Sequence, residues 1–517
     1  MTFRRVLTLL LVVILTVSAH QALALDSWFS GPRAMGMGGA NIASVNDTNA
    51  QYYNPAAFGF MGNRTENGER GAADNNDLGH KDWGVDLGAA AGLRMHQDFG
   101  DYLDTLAAID YNRLSTEGIQ SESDLVDLIK LLNGLKGLED PGNALSADIN
   151  AALGIRVGHF AIGARGTFQA AGRVLDVDTE HLGITNTTSI GDINDQITSA
   201  VQVPAGYQPT LITGDLYNQL LAAGLTADAI NAVDSKLAEA GVTSGEVAGL
   251  VDNLDTLTGQ TLGTLPSGSL SDNTSTVALR GFAMAEIPLS YGYAINDHWA
   301  IGANLKFIKG RVYGTQVLVF DTDSGDLLSE VRNDYNESSN FGIDVGIMGR
   351  YHRVNFGIIG RNLNAPEFDG FDKDIILSLP DGSTRVQHIH ADAVKVDPQV
   401  AAGIAFIPFD TLTFEVDCDL TKNETLLSNF GSSKGYYTQN LSAGLEWDAF
   451  RILALRAGLY KNLAESDMGV VYTAGLGLNL KLLRFDLGAA FSGDTAQYDG
   501  EDYPKEARVS GQLSFDF

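Results

Sequence analysis

Glu415, Asp417 and Asp419 stand two residues apart and are the first candidates for acid–base chemistry. A carboxylate does such work only when a partner group or a substrate atom lies opposite it. The flanks decide what these three do. Leu412, Phe414, Val416, Cys418 and Leu420 alternate with Thr411, Thr413, Glu415, Asp417, Asp419 and Thr421, so one face of a strand is apolar and the other is wet. The same period sets Arg484 and Asp486 against Phe485, Leu487, Ala489 and Phe491, and Asn304 and Lys306 against Ile301, Ala303, Leu305 and Phe307. Carboxylates on such a face line an aqueous interior, with Lys306, Arg350, Arg456 and Arg508 as counter-ions for Glu415, Asp417, Asp419 and Asp486. H-E-x-x-H does not occur, and the chain reads as a non-enzyme without a cofactor.

Other chemistry-bearing spacings fall short of a site. Gly36-x-Gly38-Gly39 lacks the Lys-Ser/Thr of a phosphate loop and the βαβ setting of a dinucleotide site. Asp321-Thr-Asp323-Ser-Gly325-Asp326 has its glycine one place too early for a calcium loop, and no Glu at the twelfth position, so it reads as a turn. His388-Ile-His390 puts two imidazoles on one strand face with no third ligand in view; these read as surface histidines, and no metal site is expected. With Cys418 as its one cysteine, the chain has neither an internal disulfide nor a CxxC pair.

The elements that position these residues are strands. The closing stretch places Val509, Gly511, Leu513, Phe515 and Phe517 on one face and Arg508, Ser510, Gln512, Ser514 and Asp516 on the other. One face suits lipid and the other water, and Phe515 and the terminal Phe517 resemble the signal read by bacterial barrel-assembly machinery. At the other end, Arg4-Arg5, the apolar run 6 to 19 and Ala22-Leu23-Ala24 make a secretory signal peptide, residues 1–24. Fifty-eight Gly, only 12 Pro and a net charge of -30 suit an exported barrel and argue against nucleic acid as a partner.

Alternation marks about fourteen strands: 83–93, 151–157, 159–170, 281–294, 298–312, 340–351, 353–362, 398–407, 410–421, 437–447, 450–460, 468–480, 483–493 and 507–517. Their connections alternate between turns of one to three residues and long links, in the order that short periplasmic turns and long extracellular loops demand. An even count returns both termini to the periplasm. The fold class is therefore all-β, a transmembrane antiparallel barrel of about fourteen strands over residues 83–517, preceded by segment 25–82. Helical extracellular inserts are expected at about 101–140 and 213–260; in the second, Thr213 to Gly224, Thr226 to Gly241 and Thr243 to Gly259 each run from a Thr cap to a Gly stop. They should pack on each other over the barrel mouth. Link 171–280 holds 13 acidic and 3 basic residues, a net charge of -10, so beside anionic lipopolysaccharide it calls for divalent counter-ions.

Residues 26–62 do not alternate. Arg33-Ala-Met-Gly36-Met-Gly38-Gly39-Ala40, followed by Tyr52-Tyr53-Asn54-Pro55-Ala56, resembles the N-terminal hatch of the FadL-type family of outer-membrane transport proteins. Its branch labelled conjugal transfer protein TraF is the nearer likeness; the unrelated thioredoxin-like TraF would need paired cysteines. The resemblance implies that Gly36, Gly38, Gly39, Asn54, Pro55 and Ala56 belong to a hatch plugging a fourteen-stranded barrel in the outer membrane of a Gram-negative bacterium. Two functions stay open. One is a channel for uptake of hydrophobic or amphipathic small molecules, gated by the hatch. The other is a non-conducting anchor or assembly partner of a conjugation or secretion complex.

Overall fold

Fourteen runs of period-two sequence pair in chain order and close on themselves. The computed structural model describes residues 29–62, 82–110, 113–114, 122–178, 181–182, 190–222, 224–239, 273–318, 335–378, 384–430, 435–480, 482–498 and 501–516. The strands are β1 (Trp83–His96), β2 (Ala144–Val157), β3 (Phe160–Asp176), β4 (Thr276–Ala294), β5 (Trp299–Leu318), β6 (Tyr335–Tyr351) and β7 (Val354–Arg361). The second half is β8 (Gln399–Phe409), β9 (Leu412–Asp419), β10 (Asn440–Ala449), β11 (Leu453–Asn462), β12 (Val471–Asn479), β13 (Leu483–Ser492) and β14 (Glu506–Asp516). Each pairs antiparallel with its neighbour, and β1 closes on β14 from Gly84 opposite Asp516 to Arg94 opposite Glu506. Closure leaves no edge, so every strand finds backbone partners on both sides.

Alternation fixes which side chains point in. On β5, Ile301, Leu305 and Phe307 are exposed while Asn304 and Lys306 are buried. On β9, Phe414 and Val416 face out and Thr413, Glu415 and Asp417 face in; on β14, Val509 and Phe515 face out while Arg508, Ser510, Gln512 and Ser514 face in. The exterior thus carries an apolar belt and the interior is polar and charged. No helix among the described residues is long and apolar enough to cross a membrane.

All fourteen expected strands are present, and several run further at the long-loop end than alternation indicates. β2 begins at Ala144, β4 at Thr276, and β5 continues to Leu318. Only the β5 extension loses the alternation, with Thr315 buried beside Gln316; at the start of β2 Leu145 and Ile149 still face out and Asp148 and Asn150 face in. Prolines interrupt two ladders. Gly163 and Ala164 of β3 lack bridge partners opposite Ile287 and Pro288, and the register of β8 on β9 shifts between Phe406 and Phe409, where Pro408 stands. Proline has no N–H to give a neighbouring strand.

Turns at the other end are tight. Gly158 sits at φ 55°, and Phe450 and Arg451 take consecutive left-handed conformations at φ 56° and 59°, the geometry a two-strand reversal with right-handed twist requires. The long links are partly structured. Phe371–Ser378 pairs with Thr384–Ala391 as a hairpin, and Thr495–Tyr498 pairs with Glu501–Pro504 in another that alternation does not reveal.

Two helices, α1 (Pro32–Gly36) and α2 (Ala50–Tyr53), precede the barrel. The first insert holds α3 (Phe99–Ala107) and α4 (Glu122–Glu139), and the second α5 (Ile190–Ala200), α6 (Asp215–Ala222) and α7 (Ala227–Glu239). The Thr226 hydroxyl caps α7 by accepting from Ala229 N–H, and after α6 Gly224 takes φ 98° while Leu225 N–H reaches Leu220 carbonyl. The expected helix after Thr243, the turn at 321–326, the signal peptide 1–24 and Phe517 lie outside the described residues. Helix α5 lies ahead of the stretch in which helices were expected. It packs through Ile197 and Val201 on Ile212, Leu220, Leu225, Ile230, Val233 and Leu237, so the second insert has a core of its own.

Candidate functional site in the barrel interior

Residues 29–62 are almost entirely buried, against inward-facing side chains of the strands. Wall glycines make this contact close. A Cβ on Gly302 would stand 2.3 Å from the Pro55 carbonyl carbon, and one on Gly346 2.2 Å from Asn54 Oδ1. On the opposite strands, a Cβ on Gly444 or Gly458 would come within 2.4 Å of Met37, and Gly36 packs on Gly475. The Gly36-x-Gly38-Gly39 run therefore crosses β10 to β12 backbone against backbone, while Asn54-Pro55-Ala56 crosses β5 and β6.

The Asn-Pro-Ala motif has a local role as well. Asn54 Oδ1 accepts from Ala56 N–H at 3.1 Å and caps the 3-10 turn Pro55–Gly59, with Pro55 at a position where no N–H is needed. Asn54 Nδ2 donates to the Ile347 carbonyl of β6 at 3.0 Å. Gln51 Nε2 donates to Ser290 Oγ at 2.9 Å, beside the interrupted β3–β4 ladder.

Wall carboxylates hold the backbone of the segment. Asp417 Oδ2 accepts from Asn41 N–H at 2.7 Å and Ile42 N–H at 2.9 Å, Glu415 accepts from Ala43 N–H at 2.6 Å and from the Ser44 hydroxyl, and Asp86 accepts from Thr48 N–H at 2.9 Å. Asp419 faces its own wall and accepts from Asn440 N–H at 2.8 Å.

An ion chain leaves the segment and returns to it. Arg33 binds Glu446 at 2.8 Å, Glu446 binds Arg456 at 2.6 Å, Arg456 binds Asp486 at 2.7 Å, Asp486 binds Arg484 at 2.6 Å, and Arg484 reaches Asp47 at 3.4 Å. A second network, Arg94–Glu506–Arg508–Asp148, lies further up β1, β2 and β14, with Tyr460 donating to Glu506 at 2.5 Å. A third joins Lys306 to Glu286 at 3.3 Å and to Asp344 at 3.0 Å.

The sequence-derived set is thus distributed, not convergent. Glu415 and Asp417 meet the N-terminal segment directly, Arg456 and Asp486 lie in the first chain, and Arg508 and Lys306 in the others. Arg350 stands at the short-turn end with its guanidinium 4.9 Å from the Phe60 ring. Glu446, Glu286 and Asp344 were legible by parity on strands already marked, and Arg484 on the face read as wet, while Glu506 stands one residue ahead of the strand read at 507–517. Arg33 and Asp47 carried no periodic signal at all. His388 and His390 are exposed and each pairs with aspartate, His388 Nδ1 with Asp374 at 2.8 Å and His390 Nε2 with Asp392 at 2.9 Å. Among the described residues, no group of three or more His, Cys, Asp or Glu side chains could hold a metal ion.

The interior is not charged throughout. Phe282 and Met284 of β4 and Ile308 and Val312 of β5 are buried with Phe368 and Val394 from the link between β7 and β8, the Phe282 and Phe368 rings 5.3 Å apart. An apolar patch thus lies on the same two strands as the Lys306–Glu286 pair.

Fold and interior together define a class: a closed fourteen-stranded antiparallel barrel with an ion-paired interior. The chain belongs to the family described as F plasmid transfer operon, TraF, protein, whose model matches residues 51–419. That span includes Asn54-Pro55-Ala56 and not the glycine run before it. The fold is similar to the toluene transporter TodX of P. putida, at 10% identity over 95% of this chain and 99% of that one with a TM-score of 0.47. It is also similar to the toluene transporter TbuX of Ralstonia pickettii (11%, 95% and 98%, 0.46) and to a Pseudomonas aeruginosa FadL homologue (11%, 96% and 100%, 0.43). No curated protein matches.

Proposed function

We propose that this protein is an outer-membrane channel that admits hydrophobic or amphipathic small molecules, with residues 26–62 as a hatch that gates it. The observation that carries the reading is the apolar patch in an otherwise charged interior. A barrel that served only as an anchor has no need of Phe282, Met284, Ile308 and Val312 on its inner face, whereas an apolar solute needs such a wall to enter a polar lumen. The apolar exterior belt, with Leu305, Phe307, Phe414 and Val416 exposed, supports residence in a bilayer, and the tight turns fit the periplasmic side. Outer-membrane lipid, lipopolysaccharide and the assembly machinery are then its surroundings, and its role is transport, not catalysis.

A second reading, the non-conducting anchor of an envelope complex, draws on how completely residues 29–62 are packed and hydrogen-bonded. Single-channel conductance in lipid bilayers, with and without residues 26–62, tests the two. The channel reading expects a nearly closed full-length barrel, a leaky deletion variant, and hatch-dependent uptake of a hydrophobic probe. Unchanged conductance and uptake in a correctly folded deletion variant would leave the anchor as the better reading.

A further inference from the structure

The chain Arg33–Glu446–Arg456–Asp486–Arg484–Asp47 has both ends on the N-terminal segment and its middle on the wall. The four wall members are two acids and two arginines. Paired among themselves, they stay neutral when the segment leaves, and Arg33 and Asp47 depart as opposite charges. Removing one partner of a buried ion pair ordinarily strands the other charge at high cost, and this arrangement avoids it. Its links are also unequal. Arg33 holds Glu446 through bonds at 2.8 and 3.0 Å and is itself braced by Ser44 Oγ at 3.0 Å and by Asn41. Arg484 reaches Asp47 at 3.4 Å, the longest link, and its side chain is 17% exposed where those of the other members are at most 7%. It lies on the second residue of β13, just beyond the tight turn.

We propose that the hatch is a latch built for release, and that it opens from the tight-turn mouth by parting of Arg484 from Asp47. The loop around residues 46–48, which Asp86 still holds at Thr48 N–H (2.9 Å) and Gln512 Nε2 at Asp47 (3.3 Å), then follows, while the Asn54–Gly59 turn, seated on Gly302 and Gly346, stays in place. This rests on the reading of the segment as a gate and adds the point at which the gate yields.

The test uses full-length protein in proteoliposomes on a Cys418→Ser background, with single cysteines at Asn46 or Ala57 and an impermeant maleimide as probe. Heat-modifiable gel mobility confirms that each variant is a folded barrel. Arg484→Gln should speed modification at position 46 by at least about tenfold, the loss of one charge-assisted bond, and leave position 57 near its starting rate. Asp47→Asn, which breaks the same link from the segment side and leaves the wall intact, should do the same, and Arg484→Lys should restore much of the protection. Equal rates at position 46 with and without Arg484, or position 57 reacting first, would overturn the release order. The deletion of residues 26–62 separates the two ideas: a leaky deletion with an unaffected Arg484→Gln sinks the latch alone. A silent deletion with the predicted labelling order sinks gating and leaves the latch.

Discussion

A methyl group at Gly302 would meet the Pro55 carbonyl carbon at 2.3 Å, closer than real Cβ contacts come, and the neighbour is backbone that cannot rotate away. Gly302→Ala should therefore lift the Asn54–Gly59 turn off β5, at a cost of about 1–3 kcal/mol typical of overpacking. Gly166→Ala, on a face where nothing lies within 4 Å, should be neutral. The measurement is maleimide reactivity at Ala57→Cys together with the temperature at which gel mobility shifts. An unreactive cysteine in Gly302→Ala would show that the turn is not seated as described. The same residue scale explains why Asn54 cannot be exchanged for Ala without loss. Its amide both caps the following turn and ties the segment to the Ile347 carbonyl.

Among the elements, loop 207–212 of the second insert is pinned by one acid. Asp234 on α7 is fully buried and accepts from Leu211 N–H at 2.7 Å, Thr210 N–H at 2.8 Å, Ile212 N–H at 2.5 Å and the Tyr207 hydroxyl at 2.6 Å. Burial alone would push its carboxyl up, but these donors outweigh it and hold the group below the usual carboxylate range. A depressed folded-state value stabilises above the unfolded one, so this contribution is present from about pH 4 upward and fades as pH falls through the folded value. Asp234→Asn should loosen loop 207–212 from α7 by roughly 1.5–3 kcal/mol, read as faster proteolysis of the insert in an intact barrel. Resistance equal to wild type would refute the pinning role. The hairpin 371–391 shows the opposite sign. Hydrogen bonds to Asp372 and Asp392 raise His390, so its ordering effect is complete below about pH 6.5 and is lost as pH rises through the raised value. Protection of the 371–378 amides, taken relative to the intrinsic base-catalysed exchange rate, should fall between pH 6 and pH 9, and constant protection would count against it.

At the scale of the whole molecule, closure is the organising fact, because a barrel whose backbone is fully paired resists detergent until heated. Unboiled protein should migrate faster than boiled protein on a detergent gel. Identical mobility together with recovery in the soluble periplasm would contradict the barrel in its bilayer. Topology is read from opposite ends of the strands. On a Cys418→Ser background, Ala205→Cys in the second insert should react with impermeant maleimide on whole cells. Arg451→Cys, in a tight turn, should react only after the outer membrane is ruptured. The reverse pattern would invert the protein in the membrane.

Strand number, strand parity and the inward set Lys306, Glu415, Asp417, Arg456, Asp486 and Arg508 were all legible in the sequence. A side chain's face on a strand is a matter of odd and even position, and lipid on one side and water on the other force the pattern to show. The pattern fails at the end of β5, where Thr315 and Gln316 are both buried, so that extension has no periodic signal, whereas the start of β2, with Leu145 and Ile149 facing out, carries the pattern in full. Helix caps such as Thr226 and stops such as Gly224 are local and could be read; α5, held by contacts to distant Ile212 and Leu237, could not. Tertiary structure alone decided which inward charges meet. Arg33 and Asp47 lie 14 positions apart and reach Glu446 and Arg484 hundreds of residues away. Those pairings depend on the lengthwise shift of each strand against the next and on the path of a segment without periodicity. Neither is written in the alternation that specifies the wall.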